Sequence, residues 1–243
     1  MRGLFARFGS MKSGRLILVP SPLGPEAALM PPEHQALAAS IEFWVVENPG
    51  PCLPVVAKLT GLRNPEHWVL ERGGLDMHML QDFRKVLMSG KDVGLICDAG
   101  LPAVADPGQK LVAAAHGWNI EVLPLIGPSS LMLGLMASGL SGQHFRFLGY
   151  LEKHPEKRKK QLISLSKHLM QSGETQIFIE TPYRNPHLMK DLVDFGDPGS
   201  ILCLAKQLQH PNQSIKTQSL AQWKKEMPVL HKQEVLFLWG KKS

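Results

Sequence analysis

The sequence predicts an α/β protein of two domains, the first built on a mostly parallel sheet and the second on a mixed one. Two observations carry this. Apolar runs of strand length alternate with helix-length stretches almost from end to end, the pattern of a parallel sheet covered by helices on both faces. In the second half the strand-like runs also fall closer together, which suits antiparallel connections.

Taken in order, Leu16–Val19 reads as the first strand and leads into a Pro/Gly turn. Phe43–Val46 is a second, ending in a turn at Asn48-Pro49-Gly50-Pro51. Met77–Met88 has helical spacing, with Met77, Leu80, Phe83, Val86 and Leu87 able to share one face. Val93–Cys97 is the next strand, followed by a Gly/Pro/Asp loop, a helix through Leu111–His116 and a strand at Ile120–Leu123. A further Gly/Pro turn opens a helix through Leu131–Ala137. Residues 138–142 read as a connector, which puts the boundary near residue 140: a first domain over 15–140 and a second over 141–243. Beyond it come a strand from Phe145, a basic helix over Glu156–Met170, a strand at Gln176–Glu180, a helix over Leu188–Phe195 and a strand at Ile201–Lys206. Polar residues fill Gln207–Lys216, and a short helix near Leu220–Glu226 precedes a last strand at Glu234–Leu238.

Composition narrows the class. Of 243 residues, 44% are hydrophobic and 20% charged, ordinary for a globular protein. The longest nearly apolar stretch, Leu131–Leu140, falls well short of the roughly 20 residues that cross a bilayer. Residues 1–14 read as a disordered basic arm ahead of the first strand, with a transit peptide or a start at Met11 as alternatives. Cys97 and Cys203 sit in apolar runs without CxxC spacing, which suits a reducing, cytoplasmic compartment. The histidines have no metal-binding spacing, so no metal centre is expected. A net charge of +6 and the run Lys153–Lys160 fit either phosphate contact or the solvated start of a helix.

In an open parallel sheet, ligands bind on loops beyond the carboxyl ends of strands. Here the suitable loops are Pro20–Pro25, Asp98–Gly108 and Ile126–Ser130. Each alone is also what an ordinary strand-to-helix turn looks like. None matches a phosphate loop or a full dinucleotide fingerprint, and no GxSxG element suggests a hydrolase.

In this order, VPSPLG, DVGLICDAGLPAVADPG and LPLIGPSSLMLGLMASGL resemble the signature segments of the tetrapyrrole-methylase superfamily. FRFLGYLEKHPEKRKKQL, IFIETPYRNPHLMKDL and LCLAKQL continue the likeness, which is strongest to the small-subunit ribosomal RNA cytidine-2′-O-ribose methyltransferases. The resemblance implies two α/β domains with S-adenosylmethionine in the cleft between them, and a homodimer. Carried over by position, it implies cofactor contacts from Pro22, Ala99, Gly100, Leu101, Val104, Ser129, Ser130, Glu180 and Leu208, with Ala205 beside the last. The chain departs from the pattern after its second strand. Val45-Val46-Glu47-Asn48-Pro49-Gly50 replaces the RNA-modifying branch's acidic AEDTR-like segment, and only the glutamate survives.

Methyl transfer from a sulfonium is an in-line displacement that needs positioning more than covalent help. For a hydroxyl acceptor, Glu47 or Glu180 is a candidate to take the proton, against the plainer reading of both as strand-end acids. Tyr183 and Arg184 are candidate substrate contacts, by stacking and by phosphate pairing; the alternative is a packed tyrosine and a solvated arginine. Asp98 and Asp106 read as loop braces. Three functions are therefore compatible with the sequence: ribosomal RNA ribose 2′-O-methylation, methylation of a tetrapyrrole or other small molecule, and a non-catalytic RNA- or partner-binding module that keeps the fold.

Overall fold

The computed structural model of the chain describes residues 13–25, 30–70 and 76–242. The arm expected over residues 1–14 lies outside these except at its end, where the Gly14 amide donates to Leu87 O at 2.8 Å and so already belongs to the fold. Two compact units divide the chain. The first runs to Pro128 and the second from Ser129, with Leu23, Gly24 and Pro25 belonging to the second.

The first unit carries β1 (Leu16–Val19), β2 (Phe43–Val46), β3 (Glu66–Val69), β4 (Val93–Ile96) and β5 (Val122–Pro124). They form one sheet in the order β3-β2-β4-β1-β5, every pair parallel. Alternate side chains of a strand face opposite ways, and both faces here are buried. Leu16, Val45 and Leu95 pack with Phe83, Leu87 and Leu111 on one face. Ile17, Trp44, Val46 and Ile96 pack with Cys52 and Val56 on the other. The covering helices are α1 (Pro32–Ala39), α2 (Pro49–Thr60), α3 (Met77–Met88) and α4 (Gln109–Gly117).

Four of these elements differ from expectation, α1 first, for which no helix was expected. The turn predicted at Asn48–Pro51 is the start of α2, because a proline at the first helical position gives up an amide that has no partner there anyway. β3 was not foreseen: it is an edge strand, mostly exposed, and lacks the apolar alternation that marks a half-buried one. β5 begins two residues late, since the Ile120 amide closes the end of α4 on Ala115 O at 2.9 Å and is unavailable to the sheet.

The second unit carries α5 (Ser130–Ser138), β6 (Phe145–Tyr150), α6 (Pro155–Ser172), β7 (Thr175–Ile179), α7 (Asn185–Phe195), β8 (Ile201–Lys206), β9 (Ser214–Ser219), α8 (Leu220–Lys225) and β10 (Val235–Gly240). Its sheet order is β6-β7-β10-β8-β9, with β6 and β7 parallel and the other pairs antiparallel, so the sheet is mixed as expected. Phe178, Phe237, Leu202 and Leu204 face α6 and α7 residues such as Leu162, Leu169 and Leu192. Ile177, Cys203, Ala205, Leu236 and Leu238 face Leu135 of α5.

α5 therefore packs with the second unit, although a boundary near residue 140 assigned it to the first. Its Gly134 lies so close to β10 that a Cβ there would stand 2.4 Å from Leu236 Cδ2. The polar stretch Gln207–Lys216 hides the start of β9, an edge strand whose Ser, Lys, Thr and Gln side chains carry no apolar signal. The basic run enters α6 as a largely exposed face, with one exception. Arg158 is buried, donates to Asp191 at 2.7 Å and to Lys153 O at 3.1 Å, and so braces α6 against α7.

Candidate functional site

In the first unit β1 and β4 are neighbours and parallel, so the loops that follow them leave the sheet side by side. A bridge fastens them: Ser21 N–H donates to Gly100 O at 2.8 Å, and Gly100 N–H returns to Ser21 O at 3.1 Å. The Ser21 side chain is fully buried and donates to Cys97 O at 2.5 Å. Past the bridge the backbone is left-handed at Gly100 (φ 77°), Ala103 (65°), Ala105 (66°) and Gly108 (128°). Alanine in that region costs roughly 1–2 kcal/mol, a cost more usual where backbone must meet a ligand than in a plain turn. Ala99 and Val104 are exposed along this loop, while Pro22 and Leu101 are half-buried.

Glu47 closes the same region from β2. Its carboxylate accepts the Asp98 N–H at 3.0 Å, so Glu47 braces the loop that Asp98 was expected to brace. Asp98 instead accepts from the buried Cys52 thiol at 3.5 Å. Carboxylate or thiol atoms of Glu47, Cys97 and Asp106 lie within 4.8 Å of one another. Burial pushes Asp106 up to about 6, with the Glu47 charge adding to it. Burial likewise pushes the Cys97 thiol well above its ordinary range, with Asp106 second. Burial also holds Cys52 up at about 11.

A stability consequence follows for Asp106. Its raised native value means the folded state binds a proton more tightly than the unfolded chain, so the gain is complete below about pH 4 and lost as pH rises towards 6. Asp106→Asn is expected to flatten the stability profile in that window and to add on the order of 1 kcal/mol at neutral pH, after solvent screening. Urea unfolding at a series of pH values checks this; parallel profiles for the two proteins would contradict it.

In the second unit, the sheet register gathers loops at one end. Tyr150 pairs with Ile179, Leu236 with Ile179, and Val235 with Lys206. The segments after β6, β7 and β8 and the one before β10 therefore meet there. Glu180 and Arg184, expected to serve cofactor and substrate, form an ion pair, and the Glu180 side chain is 0% exposed against 29% for Arg184. Glu180 Oε1 also accepts Thr181 N–H at 2.6 Å. Its other oxygen, Oε2, is buried without a partner, as is Gln209 Oε1. Leu208 is buried with Leu23 in one cluster, and the backbone on either side of it is left-handed at Gln207 and Gln209. Ala205 is buried in β8. Ser129 caps α5, its side chain accepting Met132 N–H at 3.4 Å, and Ser130 begins the helix half-buried. Tyr183 is exposed and Arg184 is not simply solvated, because a carboxylate already holds it.

Ser21, Asn185 and residues 230–233 carry no signal in the sequence that marks them as site residues. Ser21 stands inside the VPSPLG segment, where nothing local indicates its burial. Asn185 is fully buried and donates to Gln233 O at 2.7 Å.

No protein-family model matches the chain. It is 37% identical over 128 residues to the ribosomal RNA small subunit methyltransferase I of Synechocystis sp., covering 53% of this chain and 44% of that one. The like-named protein of Streptococcus pyogenes is 32% identical over 199 residues, covering 78% and 64%. That of Pseudomonas aeruginosa is 29% identical over 217 residues, covering 87% and 72%. The chain spans about half the length of the first of these curated relatives. Its fold matches a crystal structure of the methyltransferase CobJ at a TM-score of 0.64 and 18% identity, over 94% of this chain and 95% of that one. The chain has the fold of that methyltransferase. Each unit carries one five-stranded sheet, and the segment after β2 holds Glu47 in a structural contact to Asp98. Among the described residues no helix is long and apolar enough to cross a membrane.

Proposed function

We propose that the chain is an S-adenosylmethionine-dependent methyltransferase that methylates a ribose 2′-hydroxyl of ribosomal RNA and acts as a homodimer in the cytoplasm. The observation that carries this is the Asp98–Gly108 loop, fastened to Ser21 and bent through left-handed residues. Such a loop turns main-chain groups outward without needing to be ordered when a ligand arrives. The names of the sequence relatives support the methyl-transfer reading and the RNA acceptor.

The residues fit the cofactor. Pro22, Ala99, Gly100, Leu101 and Val104 offer backbone and small apolar surface on the first unit's loops. In the second unit, Glu180 Oε2 and Gln209 Oε1 are buried acceptors lacking donors, which hydroxyl or ammonium groups supply. Leu208, Ser129 and Ser130 complete the proposed contacts. S-adenosylmethionine brings an electrophilic methyl on a sulfonium. The chain's own work is to hold the acceptor in line, exclude water and receive a proton. Glu47 and Glu180 are the two candidate acids for the last role, the first accepting Asp98 N–H and the second paired with Arg184.

The test is tritium transfer from labelled S-adenosylmethionine to small-subunit ribosomal RNA. Expected is RNase-sensitive label recovered in alkali-resistant dinucleotides, since a methylated 2′-oxygen cannot attack its neighbouring phosphate. Label confined to an added tetrapyrrole would favour the small-molecule reading.

A further inference from the structure

Two segments at the loop-bearing end of the second sheet are stapled together. Lys232 N–H donates to Pro182 O at 3.1 Å, and the Asn185 side chain to Gln233 O at 2.7 Å. Leu230 anchors the second segment in the core, and Lys232 sits in the left-handed region at φ 59°. Both backbones are thus fixed at either side of the residues they present. Those are Tyr183 and His231, whose rings meet edge to face with centroids 5.8 Å apart at 74°. Tyr183 is 64% exposed, and His231 and Lys232 are exposed beside it. Core packing does not account for an aromatic pair held in water on a braced backbone.

We propose that Tyr183, His231 and Lys232 form a platform for one unpaired nucleotide of an RNA, the base stacking on the exposed rings and Lys232 meeting the flanking phosphate. This rests on the RNA acceptor proposed above and names how that substrate is gripped. Charge at this end of the sheet is mixed rather than broadly positive. Arg184 is tied to Glu180, and the exposed Lys153 and Lys232 stand with exposed Glu152 and Glu234. A duplex, held mainly through its phosphates, would gain little here. A single strand offers base faces for stacking, which depends far less on charge. Tyr183 thus acquires a partner ring and a cation, neither of which is near it in sequence.

Fluorescence anisotropy with a short labelled single-stranded RNA, and with the blunt duplex of the same sequence, tests the platform. Single-strand affinity is expected to fall roughly tenfold in Tyr183→Ala and in His231→Ala. Tyr183→Phe, which keeps the stacking face, should stay within about twofold of the parent. Duplex binding and calorimetric S-adenosylmethionine binding should not change, and unchanged melting temperatures would show both alanine variants folded. If the parent binds single strands and methylates RNA while both alanine variants bind as it does, the platform is wrong and the RNA reading stands. If the parent neither binds nor methylates RNA, both fall.

Discussion

Arg184→Ala is expected to lower the unfolding free energy by about 3–5 kcal/mol, a large effect for an arginine with part of its side chain in water. The reason lies in its partner. The Glu180 carboxylate is wholly buried, and its charge is balanced by the Arg184 guanidinium and the Thr181 amide. Removing the arginine leaves a buried carboxylate with one oxygen already lacking a partner. Glu180→Gln is expected to cost less, about 1–2 kcal/mol, because the arginine that remains is 29% exposed and can turn to solvent. The double variant should resemble Glu180→Gln rather than the sum of the two. Urea unfolding of the three proteins measures this, and equal costs for the two single changes would contradict the asymmetry.

The second large effect is expected at Gly100. Its φ of 77° and its paired hydrogen bonds with Ser21 fix the course of the loop between Asp98 and Gly108. Valine is poorly tolerated in this backbone region, at a cost of roughly 1–2 kcal/mol or somewhat more for a branched side chain. That is small enough to leave the protein folded. The loop escapes the strain by leaving the left-handed region and breaking its bridge to Ser21, which moves the surface offered to a ligand. A displacement of this size typically costs on the order of 100-fold in a positioned site. Gly100→Val should therefore keep a cooperative melt and lose S-adenosylmethionine affinity by about that factor. Equilibrium dialysis with labelled cofactor reads the loss, and retained affinity would show that the loop does not hold the ligand.

These two sites differ in how far they could be read from sequence. Gly100 stands in a segment whose Gly, Pro and Asp content marks a loop, and the strand before it is a plain apolar run; loop and neighbour were both legible. That Ser21 would be its bridging partner follows only from β1 and β4 lying side by side, which sequence order does not reveal. Glu180 and Arg184 are four residues apart, yet nothing local says that one is buried and the other holds it there. The same limit explains the missed elements. β3 and β9 lie at sheet edges, where one side pairs and the other meets water, so their side chains carry little apolar alternation. α2 opens with prolines that elsewhere would end a helix. His231 and Lys232 were invisible as site residues because Tyr183 lies some fifty positions away, and only the antiparallel pairing of β7 with β10 brings them together.

Binding of the cofactor decides the proposed function, and calorimetric titration of the purified protein with S-adenosylmethionine and with S-adenosylhomocysteine tests it most directly. Saturable binding of both at a single site is the predicted result. A folded sample that takes up neither at millimolar ligand would contradict the proposed function, leaving a protein that shares the fold of a methyltransferase without its chemistry.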